Sequence, residues 1–189
     1  MLFRLVEHND INNIKKLVDE AFGLNYLSLQ AITNHITSKN CYSFCLFDNN
    51  IFVGFIFLKL HSTTSINNCL LKEREWFLSY FKDYKIIAIV ERIAIVNEYR
   101  GKKLSNQLLN KALGFIQDKC AVVISVCWLK QELTPMAQLL KRNNFSPIKT
   151  VSNYWKEDSL EKEYNCAICG TPPCKCSAEI YELKKPFNY

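Results

Sequence analysis

The stretch from Lys85 to Ile116 restricts the possible folds more than any other part of the chain. Lys85 to Val96 is rich in isoleucine and valine and reads as a buried strand. A short polar turn follows, Asn97-Glu98-Tyr99-Arg100-Gly101-Lys102-Lys103. From Leu104 the apolar residues recur at helical spacing, through Leu108, Leu109, Leu113 and Ile116. A strand that runs through a turn straight into an amphipathic helix belongs to folds in which helices cover a sheet.

The remaining chain fits around that unit. Leu2 to Val6 can start a sheet, and Asn9 or Asp10 caps a helix in which Ile11, Ile14, Leu17, Val18 and Phe22 share one face. Gly23 ends that helix, and a second spans about Ser28 to Thr37. Cys41 to Phe47 and Ile51 to Leu60 form a hairpin across Asp48, Asn49 and Asn50. In His61 to Tyr84, the residues Leu70, Leu71, Trp76, Phe77, Tyr80 and Phe81 permit an amphipathic helix over a site. Ala121 to Trp128 is a further strand, Thr134 caps a helix to Arg142, and Ser146 to Trp155 and Glu179 to Lys184 close the sheet. The class is α/β or α+β. With 189 residues, 49% of them apolar, the chain is expected to be one domain over 1–189, with a cysteine-rich insert at 159–178 in its last hairpin.

The turn after Val96 carries the chemistry. A strand end, a glycine and a helix start aim unpaired backbone N–H groups and the positive end of the helix dipole at one point. A pyrophosphate suits that point, and Arg100, Lys102 and Lys103 add charge. The alternative is an ordinary strand-to-helix turn with solvated basic residues. The stretch Ile93 to Leu109 resembles motif A of the GNAT acetyltransferases, and its Glu98-Tyr99-Arg100-Gly101-Lys102 approach is typical of that family. Motif A reads Arg or Gln, two residues, Gly, one residue, then Gly or Ala. Arg100 matches its first position, while Lys103 and Ser105 stand where the two glycines are expected.

The resemblance implies a mixed, mostly antiparallel central sheet with a splayed strand pair, flanked by helices, and acetyl-CoA as cosubstrate. It implies that Ile95 and Val96 pair with the pantetheine arm in the gap towards Ala121 to Trp128. A backbone N–H near them would polarise the thioester carbonyl. Arg100, Gly101, Lys102, Lys103, Leu104, Ser105 and Asn106 would grip the pyrophosphate. The acceptor would be an amine, on a small molecule or a peptide, attacking directly in a ternary complex.

Glu91 is the candidate base. It stands alone in an apolar strand, alternation puts it on the face of Ile93 and Ile95, and burial would raise its pKa. The alternatives are pairing with a neighbouring cation, or capping the sheet at its solvent edge. The family's usual acid is a tyrosine five residues before a phenylalanine. Leu140 stands at that position before Phe145, and Thr134 stands where many members carry asparagine. Tyr99 or Tyr154 would then substitute, or the thiolate leaves unassisted, or the chain binds acyl-CoA without turnover.

Of nine cysteines, Cys166, Cys169, Cys174 and Cys176 are bunched within one short loop. Cys166-x2-Cys169-Gly170 resembles a zinc knuckle, and four thiolates would form a closed, structural Zn²⁺ site. Free thiols, a redox pair or an iron–sulfur cluster are the alternatives. A net charge of +6 is moderate, and no aromatic and basic stripe flanks the cluster, so nucleic acid is not expected as a partner. No run approaches membrane-spanning length and none resembles a secretion signal, so a cytoplasmic monomer or homodimer is expected, with no membrane partner. The rival reading is a non-catalytic acyl-CoA-binding or zinc-stabilised interaction module on the same fold.

Overall fold

The computed structural model describes residues 1–62, 72–129 and 134–186. Its strands are β1 (Leu2–Leu5), β2 (Cys41–Asp48), β3 (Ile51–Ser62), β4 (Ile86–Ile95), β5 (Val122–Leu129), β6 (Ser146–Val151) and β7 (Ser177–Lys184). Its helices are α1 (Ile11–Phe22), α2 (Leu29–Thr37), α3 (Arg74–Tyr80), α4 (Leu104–Ile116), α5 (Pro135–Arg142) and α6 (Lys156–Lys162). The strands form one seven-stranded sheet in the order β1-β2-β3-β4-β5-β7-β6, and only β4 and β5 run parallel. The expected mixed, mostly antiparallel sheet flanked by helices is the one observed. None of the described helices is long and apolar enough to cross a membrane.

Local chemistry accounts for the joints. Asn49 and Asn50 take positive φ, which gives the two-residue turn from β2 to β3 the twist a hairpin needs. Ser28 and Thr134 cap α2 and α5 by accepting from the Ala31 and Ala137 amides. Asp10 does not cap α1 in this manner. Its carboxylate turns back to the Glu7 amide and accepts two hydrogen bonds from the Arg4 guanidinium, at 2.7 and 2.9 Å.

The two faces of the sheet bury different helices. Ala88, Val90 and Ile95 of β4 pack with α4 and α5, whereas Ile87, Ile89 and Ala94 face the side of α1, α2 and α3. The register with β3 shifts in β4, where Phe57 pairs with Arg92 and Leu58 with Val90, so Glu91 is the extra residue of a β-bulge. The bulge resets the alternation. Glu91 turns towards His35 of α2, while Ile93 and Ile95 stay on the α4 side, so the expected common face is not formed.

Two further expectations change. The strand predicted from Ser146 to Trp155 stops at Val151, and the polar helix α6 begins at Lys156, inside the supposed loop. Among the described residues of His61 to Tyr84, the predicted helix is α3. It packs Phe77 and Phe81 onto Ile87 and Ile89, and Glu73 pairs with Lys149 at 3.0 Å. Leu70 and Leu71 lie outside the described residues.

Candidate active site

β4 and β5 pair only from Ile87–Val122 to Val90–Ser125, and beyond that point they part. A cleft of about 470 Å³ opens in the gap. Ser105, Met136 and Leu139 line it from the α4 and α5 side, and Phe22, Tyr26 and Trp155 from the opposite face. The cleft therefore passes through the sheet, so two molecules entering from opposite faces would meet between the parted strands.

The backbone of β4 faces this gap with every second residue. The Val96 amide donates to the Val53 carbonyl at 2.9 Å, so Val96 and Ala94 turn their main chain to β3. By alternation, Ile93 and Ile95 turn theirs to the cleft. Of the two residues expected along the pantetheine, Ile95 turns its main chain to the cleft, as Ile93 does, and Val96 turns its own to β3. The bulge at Glu91 decides this, and it leaves no mark in the apolar pattern.

At the far end of β4, the Arg100 Nε donates to the Ile95 carbonyl at 2.9 Å, which folds the turn back onto the strand. Gly101 has φ = 77°, a left-handed conformation that favours glycine. Lys103 also has positive φ, at 58°, so the turn keeps the backbone shape that suits glycine although a lysine occupies it. Lys103 provides no side-chain cap for α4, unlike Ser28 and Thr134 in their helices. The first amides of α4 are therefore available to an anionic ligand.

Of the residues expected to hold the cofactor, Ile95, Arg100, Gly101, Lys103, Leu104 and Ser105 line the cleft. Lys102 instead lies over the Tyr99 ring at 4.8 Å, and Asn106 accepts from the Asn143 side chain at 2.7 Å.

Glu91 lines the opposite end. Its Oε2 lies 3.2 Å from His35 Nε2 and 3.2 Å from Arg92 Nη1, so the alternative of pairing with a neighbouring cation, Arg92, describes its position. Burial alone would push its pKa up, but His35 and Arg92 outweigh that and lower it to about 2. The expected rise does not occur. Arg92 lies 5.4 Å from the Tyr26 ring centroid, and Phe22 stacks on Tyr26. Trp128 packs against both Phe22 and Trp155. This aromatic wall comes from segments far apart in the chain, so no local motif announces it.

Leu140 is fully buried in the core on the α4 side and cannot donate a proton. Tyr154 is also core, at 3% exposure, whereas Tyr99 lines the cleft and donates its hydroxyl to Asp48 at 3.2 Å. Cys127 is the one thiol lining the cleft among the described residues. Burial, with Glu179 adding to it, pushes its pKa up to about 12.

The four clustered sulfurs all lie within 4.8 Å of one another, and Cys169 and Cys176 approach to 3.2 Å. A tetrahedral ion with bonds of about 2.3 Å would set sulfurs about 3.8 Å apart, inside that spread. The Ile168 and Lys175 amides donate to the sulfurs of Cys166 and Cys169, and Cys166 and Gly170 exchange backbone hydrogen bonds around the first pair.

No protein-family model matches the sequence, and no curated protein matches it. Solved structures match it over nearly its full length. The Arabidopsis thaliana NAA60 in complex with a bisubstrate analogue has a TM-score of 0.73 at 11% identity, covering 99% of each chain. The Escherichia coli ribosomal-protein-S18-alanine N-acetyltransferase has a TM-score of 0.67 at 12% identity, covering 100% of this chain and 99% of that one. The NatC complex bound to Gag peptide and CoA has a TM-score of 0.66 at 14% identity, covering 97% of both. Set beside the parted strands and the uncapped helix, these likenesses show that the chain has the fold of the GNAT N-acetyltransferases.

Proposed function

We propose that this protein transfers an acetyl group from acetyl-CoA to an amine of a small-molecule or peptide acceptor. The observation that carries this reading is the cleft through the sheet, which has an uncapped helix start at one mouth and an aromatic wall at the other. The pyrophosphate would sit on the amides around Gly101 to Ser105, beside Arg100 and Lys103. The pantetheine would run along the cleft-facing backbone of Ile93 and Ile95. An amide of one of these two would donate to the thioester oxygen as it gains negative charge.

The amine nitrogen attacks the thioester carbon, the C–S bond breaks, and CoA leaves as a thiolate that takes up a proton. Direct transfer is favoured because Cys127, protonated at neutral pH, is a poor nucleophile for an acyl-enzyme route. Glu91 stays ionised and is a weak base. Its proposed part is to hold the ammonium group, or a water beside it, while the proton leaves to solvent. The cysteine cluster is proposed to hold a structural Zn²⁺ through Cys166, Cys169, Cys174 and Cys176. Four mutually close sulfurs support this, and a closed set of ligands would leave no open position for catalysis.

A second reading is binding of acyl-CoA without turnover, which the buried leucine in the acid position favours. Incubation with acetyl-CoA and a panel of free-amine peptides and small amines separates the two. Transfer predicts release of CoA matched by acetylated amine, with most of the turnover kept in Cys127→Ala. Binding of acetyl-CoA without CoA release from any amine would leave the second reading standing, and an acetylated Cys127 would exclude direct attack.

A further inference from the structure

The residues either side of Cys166 bind to the turn that walls the acceptor end of the cleft. The Asn165 amide donates to the Leu24 carbonyl and the Ala167 amide to the Phe22 carbonyl, each at 3.2 Å. Tyr164 meets Tyr26 edge-on at 5.0 Å and is buried among Cys166, Cys174 and Cys176. Gly23 lies between these contacts with φ = 116°, and a Cβ there would overlap the Asn165 carbonyl oxygen. The cysteine loop is also tied to α6, because the Cys174 amide donates to the buried Ser159 hydroxyl at 2.8 Å.

Phe22 and Tyr26 line the cleft, and α1 ends at Phe22. The side chains of the turn between α1 and α2 also pack elsewhere: Phe22, Tyr26 and Leu27 on the core under α1 and α2, Tyr26 against Arg92 and Phe22 against Trp128. Within it, the Gly23 amide bonds to the Asp19 carbonyl and the Tyr26 amide to the Gly23 carbonyl. Its links to a separate segment through the main chain, at Phe22 and Leu24, are to the loop around Cys166 among the described residues. That loop brings four sulfurs within 4.8 Å of one another, where a single cation bound by all four would tie its two cysteine pairs together.

We infer that a thiophilic divalent cation held by Cys166, Cys169, Cys174 and Cys176 positions the acceptor wall at Phe22 to Tyr26, so that its occupancy sets acceptor binding and leaves the cofactor end unchanged. This rests on the proposed zinc site and on the reading of that end of the cleft as the acceptor's. The cofactor mouth lies across the sheet, built by β4, α4 and α5, and shares no backbone hydrogen bond with the cysteine loop among the described residues. Loss of the ion would free Asn165 and Ala167 from Leu24 and Phe22 and leave the Arg100 to Ser105 turn in place.

The test uses the full chain, purified with zinc and then stripped with a chelator. Zinc content is measured by native mass spectrometry, amide hydrogen exchange over 21–27 by peptide mapping, and acetyl-CoA affinity by calorimetry. One zinc per chain is expected. Stripping should speed exchange over 21–27 by about tenfold or more while acetyl-CoA affinity moves by less than about threefold. Cys169→Ser, which keeps the three buried cysteines, should show the same change in smaller measure. A chain that binds no zinc fails the metal reading itself. A chain that binds one zinc and shows unchanged exchange at 21–27 after stripping overturns the inference alone. Loss of acetyl-CoA affinity together with the wall overturns it too, because the ion would then hold the whole sheet.

Discussion

Lys103 holds a left-handed conformation at the start of α4, and its Cβ makes that shape costly by about 1 kcal/mol. Lys103→Gly should therefore raise stability by about 1 kcal/mol, read as a melting temperature about 2–4 °C higher. Acetyl-CoA affinity should hold or improve, because the amides stay where they are and only one flanking charge is lost. Glu91 makes the opposite kind of contribution. Its folded pKa of about 2 lies below the ordinary value of 4.5, so its stabilisation is present above pH 4.5 and is lost as pH falls towards 2. The side chain is 24% exposed, so the effect is at most about 3 kcal/mol. Glu91→Gln should lower the urea midpoint at neutral pH, and its difference from wild type should shrink as pH falls through that window. A difference that stays constant with pH would show that His35 and Arg92 do not hold the carboxylate. The carboxylate was legible in the sequence as an isolated charge in an apolar strand, but its partners were not, because one comes from α2 and reaches it only through the fold.

α5 shows how an element can match the expected pattern and still change the chemistry. Thr134 caps it, and Met136 and Leu139 line the cleft while Leu140 is buried in the core. Thr134→Ala removes the acceptor for the Ala137 amide and should cost about 1 kcal/mol, measured by urea unfolding. Activity should fall less than stability if α5 serves only as a wall. The elements that sequence reasoning found well were those with a long apolar stripe, such as α4, whose predicted limits match the observed helix. α6 was missed because its sequence, Lys-Glu-Asp-Ser-Leu-Glu-Lys, has no such stripe and leaves Leu160 half exposed. It is held by Ser159, which is fully buried and donates to the Lys156 carbonyl, and by the pairing of Lys162 with Asp158. The β4 bulge was invisible for a related reason. One extra residue turns the side chains over without altering composition.

At the scale of the molecule, the parting of β4 from β5 opens the cleft, and the cysteine loop bonds to the turn that forms one of its walls. Zinc added to metal-free protein should raise the melting temperature progressively with concentration, by an amount equivalent to about 2.7 kcal/mol at a hundredfold excess over the dissociation constant. Magnesium at the same concentrations should have no such effect, since thiolates are poor ligands for it. A zinc-independent melting temperature would remove the metal from the account of stability. The sequence by itself determined the strand–turn–helix unit at Lys85 to Ile116, the cysteine cluster and the order of most elements, because periodicity, turn residues and ligand spacing act over short separations. Only the tertiary structure decided which backbone groups of β4 face the cleft, what holds Glu91, and that Phe22, Tyr26, Trp128 and Trp155 form one wall. Each of these depends on a bulge, a parted strand pair or a contact between distant segments, and local sequence carries no physical trace of such long-range geometry.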